Sequence, residues 1–324
     1  MPLTLAGLRI SRVEADAPVE DDGGDVCWRV HRVADLPPEP GAGETLAVVR
    51  GEASLRGLLT HHVFGYGGQV RCRFTVGPDG ADVTCRTTPQ VTERDLLSLF
   101  GEPILRTVLV RRGLVSFHAA CLARGAGAIL LMGHKGMGKS TLSGALQGRR
   151  WRLLADDLTR VAEVAGVWSA FAGLRQTKLM PEAAEALGHS PGALPARWDD
   201  PGPDEIYAGG DKLILGPPGD LPPRLDSARL DAIFVLGPRG AAAAGLEHRI
   251  APAVAAVRAL LEHATPDPLD PRGTPPPAVQ QAIGGLVRRV PVVQLALPDR
   301  LTALADAAEA VEMVAARLGR RAAP

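Results

Sequence analysis

Gly133-His134-Lys135-Gly136-Met137-Gly138-Lys139-Ser140-Thr141 is the stretch that decides how this 324-residue chain is read. It fits the pattern G-x-x-x-x-G-K-[ST], between a short apolar run, Gly127 to Met132, and a segment with helical character, Thr141 to Gln147. A strand before and a helix after are the context that gives the pattern physical meaning. Glycines let the backbone wrap so that its N–H groups converge on phosphate oxygens, and the helix adds the positive end of its dipole. In such a loop a lysine at the position of Lys139 bridges the β- and γ-phosphates, and a hydroxyl at the position of Ser140 reaches Mg²⁺. Gly133 to Thr141 therefore predict a site for ATP with Mg²⁺.

Downstream, the strand-like Trp151 to Ala155 ends in Asp156-Asp157. In phosphate-loop proteins an acid at the tip of a neighbouring strand reaches the metal. Transfer to a weakly acidic alcohol also profits from a carboxylate that accepts the hydroxyl proton. Two adjacent aspartates can divide these tasks, because successive side chains leave a strand in opposite directions. We assign Asp156 as base and Asp157 toward the metal; in the plainer alternative only one faces the site and the other caps the next turn.

The rest of the chain frames this site. Gln69 to Val76 and Ala81 to Arg86 read as a hairpin around Gly77-Pro78-Asp79-Gly80, in a β-rich first hundred residues broken at Asp21 to Gly24 and Leu36 to Gly43. Arg94 to Leu109 has helical spacing. Ser116 to Ala123 and Gly127 to Met132 are neighbouring strands, and Pro181 to Leu187 is a helix that starts on proline and stops before Gly188. His189 to Pro223 is rich in proline, glycine and aspartate and reads as a long, mobile loop. Beyond it, Leu230 to Leu236 and Val292 to Leu297 are expected strands, Thr265 to Pro277 a linker between helices, and Asp299 to Leu318 an amphipathic terminal helix. The fold class expected is α/β, a P-loop kinase core over 108–324 preceded by a β-rich accessory or recognition domain over 1–107.

Composition narrows the chemistry. With 36 basic and 36 acidic residues the formal charge is zero, so nucleic acid is not an expected partner. No apolar run reaches the ~18 residues of a membrane span and no leader-like start is present, so no membrane partner and a cytoplasmic location are expected. The absence of asparagine removes both the N-K-x-D guanine-reading motif and the asparagine of the protein-kinase catalytic loop. Cys27, Cys72, Cys85 and Cys121 show no C-x-x-C spacing and are read as small core residues. Only four lysines occur, Lys135, Lys139, Lys178 and Lys212, which marks each of them.

Several segments together resemble the HPr serine kinase/phosphorylase superfamily, and more closely its smaller HPr-kinase-related, peptide-modification-associated members. They are Phe117-His118-Ala119-Ala120, the loop, Leu153-Leu154-Ala155-Asp156-Asp157, Lys178 to Gly188, Asp211-Lys212 and Val290 to Leu295, within roughly Val108 to the C-terminus. The resemblance implies a core of the HPr-kinase C-terminal-domain type, ATP and Mg²⁺ as cofactors, and a serine-type hydroxyl of a peptide or protein as acceptor. It also implies that His118 faces the transfer site, although a lone histidine after phenylalanine is ordinarily a core residue. Lys178 and Lys212 fall in matching segments, and Arg175 is a further candidate for contact with the moving phosphate. The glycine-rich signature with its metal-binding glutamate is replaced by Gly173 to Lys178, which holds no acidic residue. Neither phosphorolysis nor HPr as substrate is therefore implied. A small-metabolite kinase and a nucleotide-dependent regulatory or binding module are the alternative functions, and a homo-oligomer remains compatible with the sequence.

Overall fold

The computed structural model describes residues 3–14, 24–37, 45–66, 69–175, 177–188, 213–215, 225–239 and 247–321. It is a mixed α/β structure with two large sheets. Contacts divide it into two compact units. The first takes the described residues of Met1–Leu114 and Pro266–Thr274; the second takes those of Val115–Pro195, Asp211–Thr265 and Pro275–Pro324.

In the first unit the described strands are β1 (Leu3–Leu5), β2 (Leu8–Glu14), β3 (Val26–Arg32), β4 (Thr45–Ser54), β5 (Gly57–Tyr66), β6 (Gln69–Val76) and β7 (Asp82–Thr87). They form one sheet in the order β1-β2-β3-β7-β6-β5-β4. The β6–β7 hairpin turns at the glycine-proline-aspartate-glycine stretch, where Gly77 N–H donates to the Asp82 carbonyl at 2.8 Å. Alternation of buried and half-exposed residues along β3 and β6 gives the sheet one apolar face. The aromatic anchor of that face is Trp28, fully buried and stacked on Phe100 with centroids 4.2 Å apart.

Phe100 belongs to the segment expected as one helix over Arg94 to Leu109. It is α1 (Glu93–Leu99), a π-helical turn (Phe100–Ile104) and α2 (Leu105–Arg111). Pro103 lies in that turn, where its missing N–H interrupts regular α hydrogen bonding and one widened turn absorbs the defect.

The second unit is a sheet between helix layers. Its strands are β8 (Ser116–Phe117), β9 (Ala119–Arg124), β10 (Gly127–Met132), β11 (Arg152–Ala155), β12 (Thr159–Val164), β13 (Val167–Phe171), β16 (Ser227–Leu236), β17 (Glu247–Ile250) and β18 (Val292–Ala296), with β14 (Thr177–Leu179) and β15 (Leu213–Leu215) paired separately. The order is β11-β9-β10-β16-β13-β12-β8, and β18 lies beside β16 and β17 beside β18. The β10–β16 and β16–β18 pairs are parallel. Every residue of β10 is buried, as expected of a central strand covered on both faces.

Those faces carry separate apolar clusters. Ala128, Leu130 and Met132 pack with residues of α5 (Ala253–His263) and α6 (Pro277–Arg289), among them Leu260 and Ile283. Ile129 and Leu131 pack with α3 (Lys139–Gln147) and α7 (Leu304–Arg321), through Leu142, Leu146 and Val311. α4 (Pro181–Ala186) starts on its proline, and Gly188 follows it at φ 79°.

Three expectations change. Ser116 to Ala123 is not one strand: it breaks at His118, and its halves pair with different neighbours, β8 with β12 and β9 with β10 and β11. Asp299 to Leu318 begins with a 3₁₀ turn at Leu301–Ala303 before α7. The stretch His189 to Pro223 lies outside the described residues except for 213–215, which form a strand and not loop. Most of the two early breaks and the Asp211-Lys212 pair also lie outside the described residues. No helix among the described residues is long and apolar enough to cross a membrane.

Candidate active site

β10 delivers the chain directly into the glycine loop. Gly136 and Gly138 take φ values of 89° and 91°, a region closed to most side chains, and they let the backbone curl back on itself. Gly138 is also the N-cap of α3, and no side chain caps the helix there. The positive end of this nine-residue helix thus opens toward the loop, the kind of place where anions bind in other proteins. His134, Lys135 and Gly136 are exposed, and Met137, Gly138, Ser140 and Thr141 are half-buried.

Lys139 differs from the loop around it. It is 8% exposed, and its ammonium donates to His118 Nε2 at 2.8 Å and lies 3.9 Å from Asp157 Oδ1. On the other side of the imidazole, Nδ1 sits 3.0 Å from the carbonyl oxygen of Asp157. A carbonyl only accepts and an ammonium only donates, so these two partners fix a neutral ring with its proton on Nδ1. Lys178 completes the group by donating to Asp157 Oδ2 at 2.8 Å.

The aspartates sit just past β11 and not on it. Leu158 N–H donates to the Asp156 carbonyl at 2.7 Å, which closes a γ-turn on Asp157 at φ 60°. A γ-turn with positive φ at its centre is the rare, strained form of this turn. Asp156 N–H donates to the Leu174 carbonyl at 2.8 Å, and Gly173 N–H donates to the Leu154 carbonyl at 3.0 Å. Gly173 packs closely here: a Cβ there would meet Ala155 Cβ and the Leu158 carbonyl oxygen, each at 3.1 Å. Arg175, half-buried, follows this crossing segment.

The turn gives the two carboxylates opposite environments. Asp156 is 5% exposed, its Oδ1 accepts only the Asp157 N–H among the described contacts, and its Oδ2 is buried without a partner. Burial, and then the neighbouring Asp157 charge, push its pKa up to about 7. Asp157 is also pulled up by burial, but Lys178, its hydrogen bond and Lys139 outweigh that and hold it below the ordinary carboxylate range. One carboxylate is poised to take up a proton near neutrality while its neighbour stays ionised.

The structure thus brings His118, Lys139, Asp156, Asp157 and Lys178 together at the foot of the loop, with Ser140 and Thr141 on the first turn of α3. Lys135 lies apart on the loop's exposed tip. Sequence reading missed the end of α5. His118 N–H donates to the His263 carbonyl at 2.9 Å, Glu262 Oε1 is 2.9 Å from His134 Nε2, and the rings of His134 and His263 are 4.9 Å apart. Burial, followed by the His134 charge, lowers the His263 pKa to about 4, so it is neutral at physiological pH. No local pattern marks Glu262 or His263, because tertiary packing alone delivers them.

Among the described residues no group of three His, Cys, Asp or Glu side chains is set to hold a metal alone. Mg²⁺ does not need one, since it takes one or two carboxylates beside water and phosphate oxygens. An all-oxygen pair, the Ser140 hydroxyl and the ionised Asp157 carboxylate, together with an uncapped helix start, fits that manner of binding.

No family model matches the chain, and no curated protein sequence does. Among solved structures it matches the HPr(Ser) kinase/phosphatase from Coxiella burnetii, with 62% of this chain and 97% of that chain covered, at 12% identity and a TM-score of 0.27. A likeness of that size carries no argument about what this chain does.

Proposed function

We propose that the chain is an ATP-dependent kinase that transfers the γ-phosphoryl group to a serine-type hydroxyl of a peptide or protein. One observation carries this reading: at the foot of an uncapped glycine loop, a buried carboxylate with a pKa near 7 stands beside an ionised one engaged by two lysines. A site that only bound nucleotide would have no use for a second, proton-accepting carboxylate. That the acceptor is a peptide or protein serine is supported by the sequence resemblance of Phe117 to Ala120, Leu153 to Asp157 and Lys178 to Gly188.

In this mechanism the acceptor oxygen forms a bond to the γ-phosphorus as the bond to the β–γ bridging oxygen breaks, and the hydroxyl proton passes to the Asp156 carboxylate. The loop N–H groups and the start of α3 hold the phosphates. Lys139 moves from its internal partners onto the β- and γ-phosphates, and Lys178 and Arg175 would balance the charge of the moving group. Neutral His118, with its proton fixed on Nδ1, holds the Lys139 ammonium through Nε2 until the phosphates take its place. Mg²⁺, when bound, would neutralise phosphate charge, held by the Ser140 hydroxyl and Asp157.

The test is incubation with γ-labelled ATP and three kinds of acceptor: serine-containing peptides, hydroxylated metabolites, and water alone. Label appearing on peptide supports the proposal. Label on a metabolite makes the chain a small-molecule kinase, and bound but untransferred nucleotide makes it a binding module.

A further inference from the structure

The cluster at the foot of the loop accounts for one end of a nucleoside triphosphate and leaves the other unassigned. Strand order says where that other end goes. Asp156 and Asp157 follow β11 and His118 precedes β9, so the reacting groups lie on one side of β10 and its loop. On the opposite side lie β16 and, beside it, β18. Past the ends of those two strands is a cavity of about 150 Å³, lined by Gly138 and Thr141 of the loop and by Arg239, Leu297, Leu301 and Ala307 among others. A space of about this volume admits an aromatic ring in other proteins.

We propose that this cavity holds the base of the bound nucleotide, with the ribose at its open rim. The proposal rests on the phosphate-loop reading and extends it. Continuity is direct: Gly138 caps α3, Thr141 is in the first turn of that helix, and a Cβ on Gly138 would lie 3.1 Å from Leu297 Cδ1. A chain of phosphates whose reacting end meets Asp157 and Lys178 has its nucleoside end directed away from them, toward this side of the loop. The walls suit a flat heterocycle. Leu297 and Ala307 are buried and apolar, and Leu301 forms a more open edge. At the rim, Arg239 Nη1 is bound to Asp299 Oδ1 at 2.7 Å. That carboxylate holds a guanidinium able to lie over a ring face, and retains a second oxygen to accept from a ribose hydroxyl or an exocyclic amine.

The test compares two ligands by calorimetry in the presence of Mg²⁺: ATP, and inorganic tripolyphosphate, which has no base or sugar. The wild-type chain is expected to bind ATP at least about tenfold more tightly, the size of one base contact. Ala307→Leu, which fills the cavity, and Leu301→Ser, which strips its edge, are expected to remove most of that advantage while leaving the tripolyphosphate affinity within about twofold. Leu301 is 41% exposed, so Leu301→Ser remains informative if the buried substitution prevents folding. Equal wild-type affinity for the two ligands overturns the proposal, and so do folded variants that keep the full ATP preference. A folded wild-type protein that binds neither ligand overturns the phosphate-loop reading, and this pocket with it.

Discussion

At the level of single residues, Asp156 is the most informative position. Its carboxyl is the proton acceptor of the proposed transfer, so kcat should rise with pH through a midpoint near 7. Because the Asp157 charge is one cause of the raised pKa, Asp157→Asn should move that limb to lower pH in whatever activity survives; an unmoved limb would sink the coupling. Asp156→Asn should leave ATP binding within a few-fold and cut transfer by about 10²-fold or more. The same substitution tests stability. A carboxyl whose pKa is higher folded than unfolded keeps its proton better in the fold, so stability falls as pH rises from about 4 toward 7 and stays lower above. Asp156→Asn should therefore raise Tm at pH 8 and barely change it at pH 4. Lys139 and the aspartates stood out in the sequence because loop chemistry fixes residue types at fixed spacings, and Lys178 because lysine is scarce in this chain. Glu262 and His263 did not, because they reach the site through the packing of α5 and share no local signal with it.

Among elements, the segment that opens with α1 shows both what the sequence reveals and what it hides. Thr92 and Asp95 make a reciprocal capping box, the side chain of each bonded to the other's main-chain N–H. Thr92→Ala should cost about 1 kcal/mol, read as a lower urea midpoint at unchanged m-value. Apolar spacing revealed the helix, whereas the π-helical turn around Pro103 was hidden, since periodicity does not register a single widened turn. Two hairpins escaped for a different reason. β1–β2 and β12–β13 turn on Ala6-Gly7 and Ala165-Gly166, with both residues of each pair at positive φ. Asparagine or aspartate commonly occupies the first place in such turns, and this chain contains no asparagine, so the usual flag is missing. The β6–β7 hairpin was legible because its turn carries glycine, proline and aspartate. β10 was equally plain, as an uninterrupted apolar run leading into the loop.

For the molecule as a whole, burial makes a prediction that the spacing of cysteines did not allow. All four thiols are free; Cys72, Cys85 and Cys121 are buried and Cys27 is half-buried. The β6–β7 pairing brings the sulfurs of Cys72 and Cys85 to 3.5 Å, an approach invisible in a linear reading. A thiol reagent should modify Cys27 readily in the native protein and the other three only after denaturant is added; rapid reaction of more than one equivalent would contradict the burial. The Lys139 ammonium is satisfied by an imidazole nitrogen and a carboxylate of its own chain. In the proposed reaction phosphate would exchange an internal ligand for an external one, and the fold itself leaves no stranded cation at Lys139. Nucleotide would then gain only the difference between two sets of anionic and neutral partners.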